Sequence, residues 1–155
     1  MTSRWLDATE ERAWRGYRRM FTLLESQLAR DLSNDWELSM ADYTVLSNLV
    51  EAEGRRWRIA ALADHTHWSQ SRLSHQIRRM ENRGLVAREH VEEDGRGAVV
   101  TLTKKGVHAI AEATPGHLAA VRKHMIDLLD PDQLGALGDI AETVLAHLVE
   151  EPNAN

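Results

Sequence analysis

The chain contains no cysteine among its 155 residues. This absence excludes disulfide bonds, thiolate metal sites and thiol redox sensing. It also has no apolar run close to the roughly twenty residues that a membrane-spanning helix requires. Residues 1–16 are charged and lack the apolar segment of a secretory signal. We therefore expect a cytoplasmic protein with no membrane partner.

Sequence patterns of common enzymes are missing as well. We find no G-x-S-x-G, no phosphate-binding loop, no H-E-x-x-H and no clear pair of carboxylates. Ser69, Ser71 and Ser74 lie near His75 in the sequence, but side chains on one stretch of helix cannot form an oriented triad. The sequence therefore indicates a protein that is not an enzyme.

Histidine is frequent, with eight residues. The closest pairs are His65 with His67 and His117 with His124, but neither has a carboxylate partner at close spacing. Without cysteine ligands as well, the pattern does not indicate a zinc site. We expect no metal and no cofactor.

Charge is distributed unevenly along the chain, whose net charge is −5. Residues 55–105 carry 11 basic and 6 acidic side chains, whereas residues 106–155 carry 2 basic and 8 acidic ones. Residues 1–54 are also acidic, with 6 basic and 10 acidic side chains. Local positive potential is what binding to phosphate requires, so the middle third is the candidate nucleic-acid surface.

The N-terminal third predicts two helices. Apolar side chains recur at steps of three and four over residues 8–32, which is typical of a long amphipathic helix. A loop at residues 33–37 precedes the second helix, which Ser39 caps and Gly54 ends. The apolar stripe of the first helix consists of Trp14, Tyr17, Phe21, Leu24 and Leu28.

The middle third predicts a helix-turn-helix. Residues 55–58 form a short extended piece, residues 59–64 a short helix and residues 65–68 a tight connection. Ser69 then caps a helix over residues 70–83. Three residues of this helix, spaced by four and three, face inward: Leu73, Ile77 and Met80.

A two-stranded hairpin follows this helix. Residues 85–90 and 98–103 have the composition of short strands, and the tip at residues 92–97 contains two glycines that permit a tight turn. A polar-faced helix followed at once by a basic hairpin is the arrangement of a winged helix-turn-helix. The wing is thus the hairpin of residues 85–103.

The C-terminal third predicts two more helices. Thr103 caps a fifth helix that runs towards Leu129, and Pro115 with Gly116 should kink or break it near its middle. Asp130 followed by proline is a strong start signal for the sixth helix. The apolar stripes of the first, fifth and sixth helices have little to cover inside one chain, which favours a two-fold dimer.

The sequence resembles the MarR family of bacterial transcriptional regulators over nearly its whole length. The resemblance is strongest in IAALADHTHWSQSRLSHQIRRMENRGLV and in the wing DGRGAVVTLTKKG. The family's Asp-x-Arg wing signature falls on Asp94 and Arg96, and its LT-x-x-G signature ends at Gly106. The resemblance implies a mainly α fold with a small β-hairpin wing, which is a winged helix-turn-helix with long N- and C-terminal dimerisation helices. Residues 1–155 form one protomer, with dimerisation helices at 8–32 and 104–149 and a DNA-binding module at 38–103.

The resemblance implies a sequence-specific regulator, usually a repressor, that binds a pseudo-palindromic operator in double-stranded DNA as a homodimer. The fourth helix would lie in the major groove and the wing in the minor groove, where Arg96 reads groove width. By family analogy Asp94 holds the wing by pairing with an arginine. The expected DNA-binding residues are Arg58, Ser69, Gln70, Ser71, Arg72, Ser74, His75, Arg78, Arg79, Asp94 and Arg96.

Two alternatives stay open from the sequence. Many relatives respond to a small aromatic or anionic ligand, for which Trp14, Arg18, Trp36 and Tyr43 are candidates, although aromatic side chains on helix stripes are more often core and interface. The basic face is also compatible with a winged-helix module that binds an acidic protein partner. Sequence-selective binding to duplex DNA distinguishes the regulator from such a module.

Overall fold

A computed structural model describes residues 5–90 and 97–150 of the chain, and no side chain is described at Glu150. The described residues fall into two compact units, which divide between His117 and Leu118. In chain order the elements are α1 (Ala8–Trp36), α2 (Met40–Glu51), a 3-10 turn (Glu53–Arg55), β1 (Arg56–Arg58), α3 (Ile59–Thr66), α4 (Gln70–Asn82), β2 (Val86–His90), β3 (Ala98–Leu102), α5 (Lys104–His124), a 3-10 turn (Ile126–Leu128) and α6 (Pro131–Glu150). This mainly helical composition with a small sheet confirms the predicted fold class.

The predicted hairpin is confirmed as the antiparallel pair of β2 and β3, and a third strand that was not predicted, β1, joins it in the order β1-β3-β2. The extended piece before α3 is itself a strand, and it places Trp57 opposite Val100 of β3. Positive φ angles of 64° at Gly54 and 53° at Arg55 turn the chain into this strand. Pairing with β1 gives hydrogen-bond partners to the edge of β3 that a hairpin would leave open.

The core of the first unit lies between the C-terminal end of α1, helices α2, α3 and α4, and the sheet. The inward face predicted for α4 is confirmed, because its three apolar residues are fully buried. Asp42 and Gln76 are the buried polar residues among those described, with 3% and 2% of their surface exposed. The fully buried large side chains are Leu32, Val45, Leu46, Leu49, Leu62, Leu73, Ile77, Met80 and Val100.

Helix α1 continues to Trp36, so the loop predicted at residues 33–37 is wrong. Ser, Asn and Asp are weak helix formers, but one further turn buries Leu32 and packs Trp36 against the core. Glu37 ends the helix with a φ of 54°, and its N–H donates to the carbonyls of Leu32 and Ser33. Tertiary packing has therefore overridden the local preference.

The connection between α3 and α4 is also shorter than the predicted residues 65–68. Helix α3 extends through Thr66, whose hydroxyl donates to the Leu62 carbonyl at 2.8 Å. His67 then ends the helix in the left-handed region, with a φ of 54°. The ends predicted for α4 and for the two wing strands agree with the structure to within one residue.

Helix α5 runs through Pro115 and ends at His124, so of the predicted kink or break a break is excluded, and the helix ends before Leu129. Proline removes one backbone donor and is unfavourable inside a helix, yet α5 continues through it to His124. The caps predicted at the start of the fifth and sixth helices are confirmed. The Gly106 N–H donates to Thr103 Oγ1 at 3.0 Å, and the Gln133 N–H donates to Asp130 Oδ1 at 2.8 Å.

Among the described residues, none of the helices combines the length and the apolar composition needed to cross a membrane.

Candidate nucleic-acid interface

Helices α3 and α4 are joined by a turn of three residues that makes a helix-turn-helix. The Trp68 N–H donates to the Ala63 carbonyl at 3.0 Å, which closes the C-terminal end of α3. Ser69 follows as the N-cap of α4, and its hydroxyl accepts the Arg72 N–H at 3.1 Å. The turn is thus fixed by hydrogen bonds on both sides, and the direction in which α4 leaves it is set.

The surface of α4 divides into a buried arc and a polar arc. Leu73, Gln76, Ile77 and Met80 form the buried arc. At 100° per residue, the opposite arc carries residues 71, 72, 75, 78 and 79. The candidate residues of α4 that are exposed are Gln70, Ser71, Arg72, His75, Arg78 and Arg79, with Ser69 exposed at the cap and Ser74 half-buried.

Arg72 is held at the start of this polar arc by an aromatic ring. Its guanidinium carbon lies 4.1 Å from the centre of the Trp68 ring. A cation at this distance from an indole face is attracted by the ring quadrupole, and the planar guanidinium also stacks on it. Trp68 was not among the predicted interface residues, although its position directly before the Ser69 cap indicates that it lies beside the first turn of α4.

The two arginines near the C-terminal end of α4 are held by buried polar side chains. Arg79 Nη2 donates to Gln76 Oε1 at 2.5 Å. Arg83 Nη1 donates to Asp42 Oδ2 at 2.6 Å. Gln76 and Asp42 were also missed from the sequence, yet a glutamine at an inward position of an amphipathic helix indicates a buried polar network.

Strand β2 is tied to α4 by Arg88. Its Nη2 donates to the Ser74 carbonyl at 3.4 Å, and its Nε lies 3.6 Å from a carboxylate oxygen of Glu81. The base of the wing is therefore fixed to the helix that precedes it.

Arg58, which was also predicted for the interface, lies outside α4. Arg58 is exposed at the end of β1, directly before α3. Asp94 and Arg96, predicted for the wing tip, lie outside the described residues. The predicted interface residues of α4 therefore lie together on one helix, whereas Arg58 lies on the neighbouring strand β1.

The four candidate ligand residues do not lie together in one place. Trp14 and Arg18 lie on the exposed part of α1, with the Arg18 guanidinium 5.9 Å from the Trp14 ring centre. Trp36 packs on the core at the other end of α1, about 33 Å away along a helix axis with a rise of about 1.5 Å per residue. Tyr43 also packs on the core. Within one protomer these residues do not form a single pocket.

Tyr43 contacts a histidine of α5. The ring centres of Tyr43 and His117 are 4.4 Å apart. Burial lowers the pKa of His117 below its ordinary value of 6.5, because the charged imidazolium loses hydration. Its Nδ1 atom is buried and has no hydrogen-bond partner among the residues that the structure describes. His117 is therefore a neutral imidazole at pH 7.

Side chains that could share a metal ion are not grouped in the described part of the chain. Within residues 5–90 and 97–149 there is no cluster of three or more histidine, aspartate or glutamate residues with the required proximity.

The helix-turn-helix with its attached sheet defines a winged-helix protein. Residues 27–113 match the family model described as transcriptional regulator SarA/Rot. The chain is 45% identical to AbsC of Streptomyces coelicolor, a MarR family transcriptional regulator, with a TM-score of 0.89 over 96% of this chain and 100% of that one. It is 38% identical to Sco3205 of the same organism, a MarR family transcriptional regulator crystallised in complex with DNA, with a TM-score of 0.90 over 99% of this chain and 95% of that one.

A curated relative supports the same assignment. The transcriptional regulator HosA of Escherichia coli is 30% identical over 115 residues, which are 74% of this chain and 77% of that protein. The chain belongs to the MarR family of transcriptional regulators. These relatives are transcriptional regulators.

Proposed function

We propose that the protein is a sequence-specific repressor that binds a pseudo-palindromic operator in double-stranded DNA as a homodimer. Helix α4 is the recognition helix and enters the major groove, and the wing between β2 and β3 enters the adjacent minor groove. Residues 38–103 form the DNA-binding module, and residues 8–32 and 104–149 provide the dimerisation helices.

The polar arc of α4 carries this proposal. Its arginines offer paired donors to guanine edges or to phosphates, and His75 with Gln70 can accept or donate to bases. Ser69, Ser71 and Ser74 are small enough for the helix to approach the groove floor. Arg58 supplies a positive charge beside α3, where a phosphate contact positions the module without reading sequence.

The relative crystallised with DNA supports the same conclusion. Sco3205 is similar to this chain along nearly its whole length, at 38% identity. A shared fold alone would be weaker support, since winged helices also occur in modules that bind proteins.

Exposed apolar side chains support the homodimer. On α1, Trp14 stacks on Tyr17 and Tyr17 on Phe21, yet about half of each of these side chains is exposed. The second unit also exposes apolar residues, among them Ile140, Val144, Leu145 and Leu148 of α6. Apolar surface of this extent is typical of a protein interface. A two-fold dimer would bury it and place two recognition helices about 34 Å apart, one turn of DNA.

Selection of bound duplexes from a random DNA pool, at near-physiological salt, tests the proposal. We expect enrichment of an inverted repeat, with a half-site spacing of about ten base pairs. Sedimentation should show a dimer, both free and on the selected duplex. Only weak, salt-sensitive binding without enrichment would instead favour the module that binds an acidic protein partner.

Regulation by a small aromatic anion is the finer part of the proposal. Trp14 with Arg18 combines a ring and a cation, and Trp36 with Tyr43 combines two aromatic side chains. In a dimer, residues from two chains can complete a site that one chain leaves divided. Benzoate, the simplest aromatic carboxylate, should quench tryptophan fluorescence and release the selected duplex. An effector must bind the free and DNA-bound shapes differently to do so.

A further inference from the structure

We propose that Asp42 is a positioning residue for DNA recognition, acting through Arg83 and Gln76 to fix the orientation of α4 and of the Arg79 guanidinium. This inference depends on the proposed function, because it assigns α4 as the recognition helix. Asp42 itself is buried at the start of α2 and faces the protein interior, so it acts through these partners and not on DNA.

Asp42 accepts hydrogen bonds from three directions. The Ser39 N–H donates to its Oδ2 at 2.9 Å, which is the capping box of α2. Arg83 Nη1 donates to the same oxygen at 2.6 Å, and Gln76 Nε2 donates to Oδ1 at 2.6 Å. One carboxylate therefore connects the start of α2 with two points of α4 that are seven residues apart, about two helical turns.

Arg83 extends this connection to α1. Its Nη2 donates to the carbonyl of Glu37, the residue that ends α1 in the left-handed conformation. A planar guanidinium with two donors on two acceptors fixes direction as well as distance. The C-terminal end of α4 is thereby clamped to the corner between α1 and α2. We call Asp42, Arg83 and the Glu37 carbonyl the corner clamp.

Gln76 carries the effect to the exposed surface. Because Asp42 accepts from its Nε2 atom, the amide is oriented with Oε1 towards Arg79, whose Nη2 donates to it at 2.5 Å. A buried amide with both ends satisfied has one orientation, so the Arg79 guanidinium is presented in one place. Loss of the Asp42 charge would let the amide turn and release Arg79.

If the pair of Asp42 and Arg83 were purely structural, replacing either residue would change stability and leave DNA recognition intact. The corner clamp predicts more, because a small rotation of α4 displaces every side chain of its polar arc relative to the bases. Phosphate contacts made from other elements would persist, so selectivity should fall more than nonspecific affinity.

The test compares Asp42→Asn, Arg83→Gln and the double variant, on the operator obtained by selection and on an unrelated duplex. Asparagine keeps the cap of α2 and removes the charge. We expect each single variant to lower the ratio of the two affinities by about five- to tenfold, the size of one mismatched base pair. We expect the slope of binding against salt to stay unchanged, since no phosphate contact is removed. The double variant should be no worse than the weaker single variant, because both break one unit.

The exposed pair in the second unit is the matched control. Arg122 Nη2 donates to Asp127 Oδ1 at the same 2.6 Å, and both side chains are exposed. Asp127→Asn should leave selectivity unchanged. Circular dichroism and thermal melting establish that each variant is folded at the temperature of the assay.

The outcomes separate the two proposals. A wild-type protein that selects no operator refutes the proposed function itself. A wild-type protein that selects one, with Asp42→Asn and Arg83→Gln losing only thermal stability, overturns the positioning role. A reduced salt slope in Arg83→Gln would also overturn it, because Arg83 would then contact phosphate directly.

Discussion

The guanidinium of Arg72 lies over the indole of Trp68, at 4.1 Å from the ring centre, across the N-terminal cap of α4. Trp68 itself packs on the hydrophobic core. An arginine that must reach a base or a phosphate is flexible in solution, and holding it in advance reduces the entropy lost on binding. The ring therefore serves as a support for a side chain that we expect to contact DNA.

Replacing Trp68 should weaken operator binding through Arg72. Trp68→Leu removes the stacking surface, and an exposed cation–π contact is worth about 0.5–1 kcal/mol, or roughly two- to fivefold in affinity. Trp68→Phe retains an aromatic face and should lose less. In an Arg72→Ala background, Trp68→Leu should cost nothing further, and an equal loss in both backgrounds would contradict the link. Electrophoretic mobility shifts measure the affinities of the wild type and of these four variants.

Replacing Gly116 should destabilise the first unit. A Cβ at this position would overlap the indole of Trp36, with no flexible side-chain end to move aside. We expect Gly116→Ala to lower the free energy of unfolding by about 1–3 kcal/mol, as overpacking does elsewhere. Gly16→Ala is the control, because nothing lies within 4 Å of a Cβ there and alanine favours the helix. Equal stability of the two variants in urea denaturation would refute the predicted contact.

Acid should weaken the fold partly through His117. Burial lowers its pKa in the folded state below the ordinary value of 6.5, so the unfolded chain takes up the proton first. The stability of the neutral form is therefore fully present above the ordinary pKa and is lost as the pH falls below it. Between about pH 7.5 and pH 5.5, His117→Gln should lose less melting temperature than the wild type. If the melting temperatures of the two proteins depend on pH in the same way, His117 does not contribute to the loss of stability in acid, whatever the other histidines contribute.

The junction between the wing and α5 should depend on the Thr103 hydroxyl. Its Oγ1 lies 2.6 Å from the Gly84 carbonyl oxygen and 2.9 Å from that of Leu85, and it accepts the Gly106 N–H. Thr103→Val keeps the shape but removes the donor to the Gly84 carbonyl and the acceptor of the Gly106 N–H, at a cost of about 1–2 kcal/mol. The Leu85 carbonyl keeps its bond from the backbone N–H of residue 103. Thr143→Val is the matched control, since that exposed hydroxyl only donates to the Asp139 carbonyl within its own helix. If calorimetry shows equal losses of stability for the two variants, Thr103 has no special role.

Much of the fold follows from local signals in the sequence. The caps at Ser39, Ser69 and Thr103 are short-range patterns, and the inward residues of α4 recur at helical spacing. The extension of α1 to Trp36 was not predictable in this way, because its stabilisation comes from packing against residues distant in the chain. Strand β1 was missed as a strand for the same reason, since a three-residue strand exists only through its partner.

The residues of the candidate interface also fall into those that local sequence patterns predict and those that depend on tertiary contacts. The exposed candidates of α4 followed from polarity on one side of a periodic helix. The residues that hold them did not, because Asp42 and Gln76 are 34 positions apart and their contact depends on the tertiary arrangement. Even so, a glutamine at a buried position and an aspartate at the third position of a capped helix are signals that polar partners exist.

The strand order has a consequence for behaviour at high concentration. Strand β3, which is almost entirely apolar, lies in the middle of the sheet, and its backbone is paired on both sides. The outer strands are the ones that carry charge, with Arg56 and Arg58 on β1 and Arg88 and Glu89 on β2. An edge that is short and charged is a poor template for a strand of another molecule. We therefore expect the sheet to resist edge-to-edge aggregation, so that the exposed apolar surfaces of the helices are the ones available for self-association.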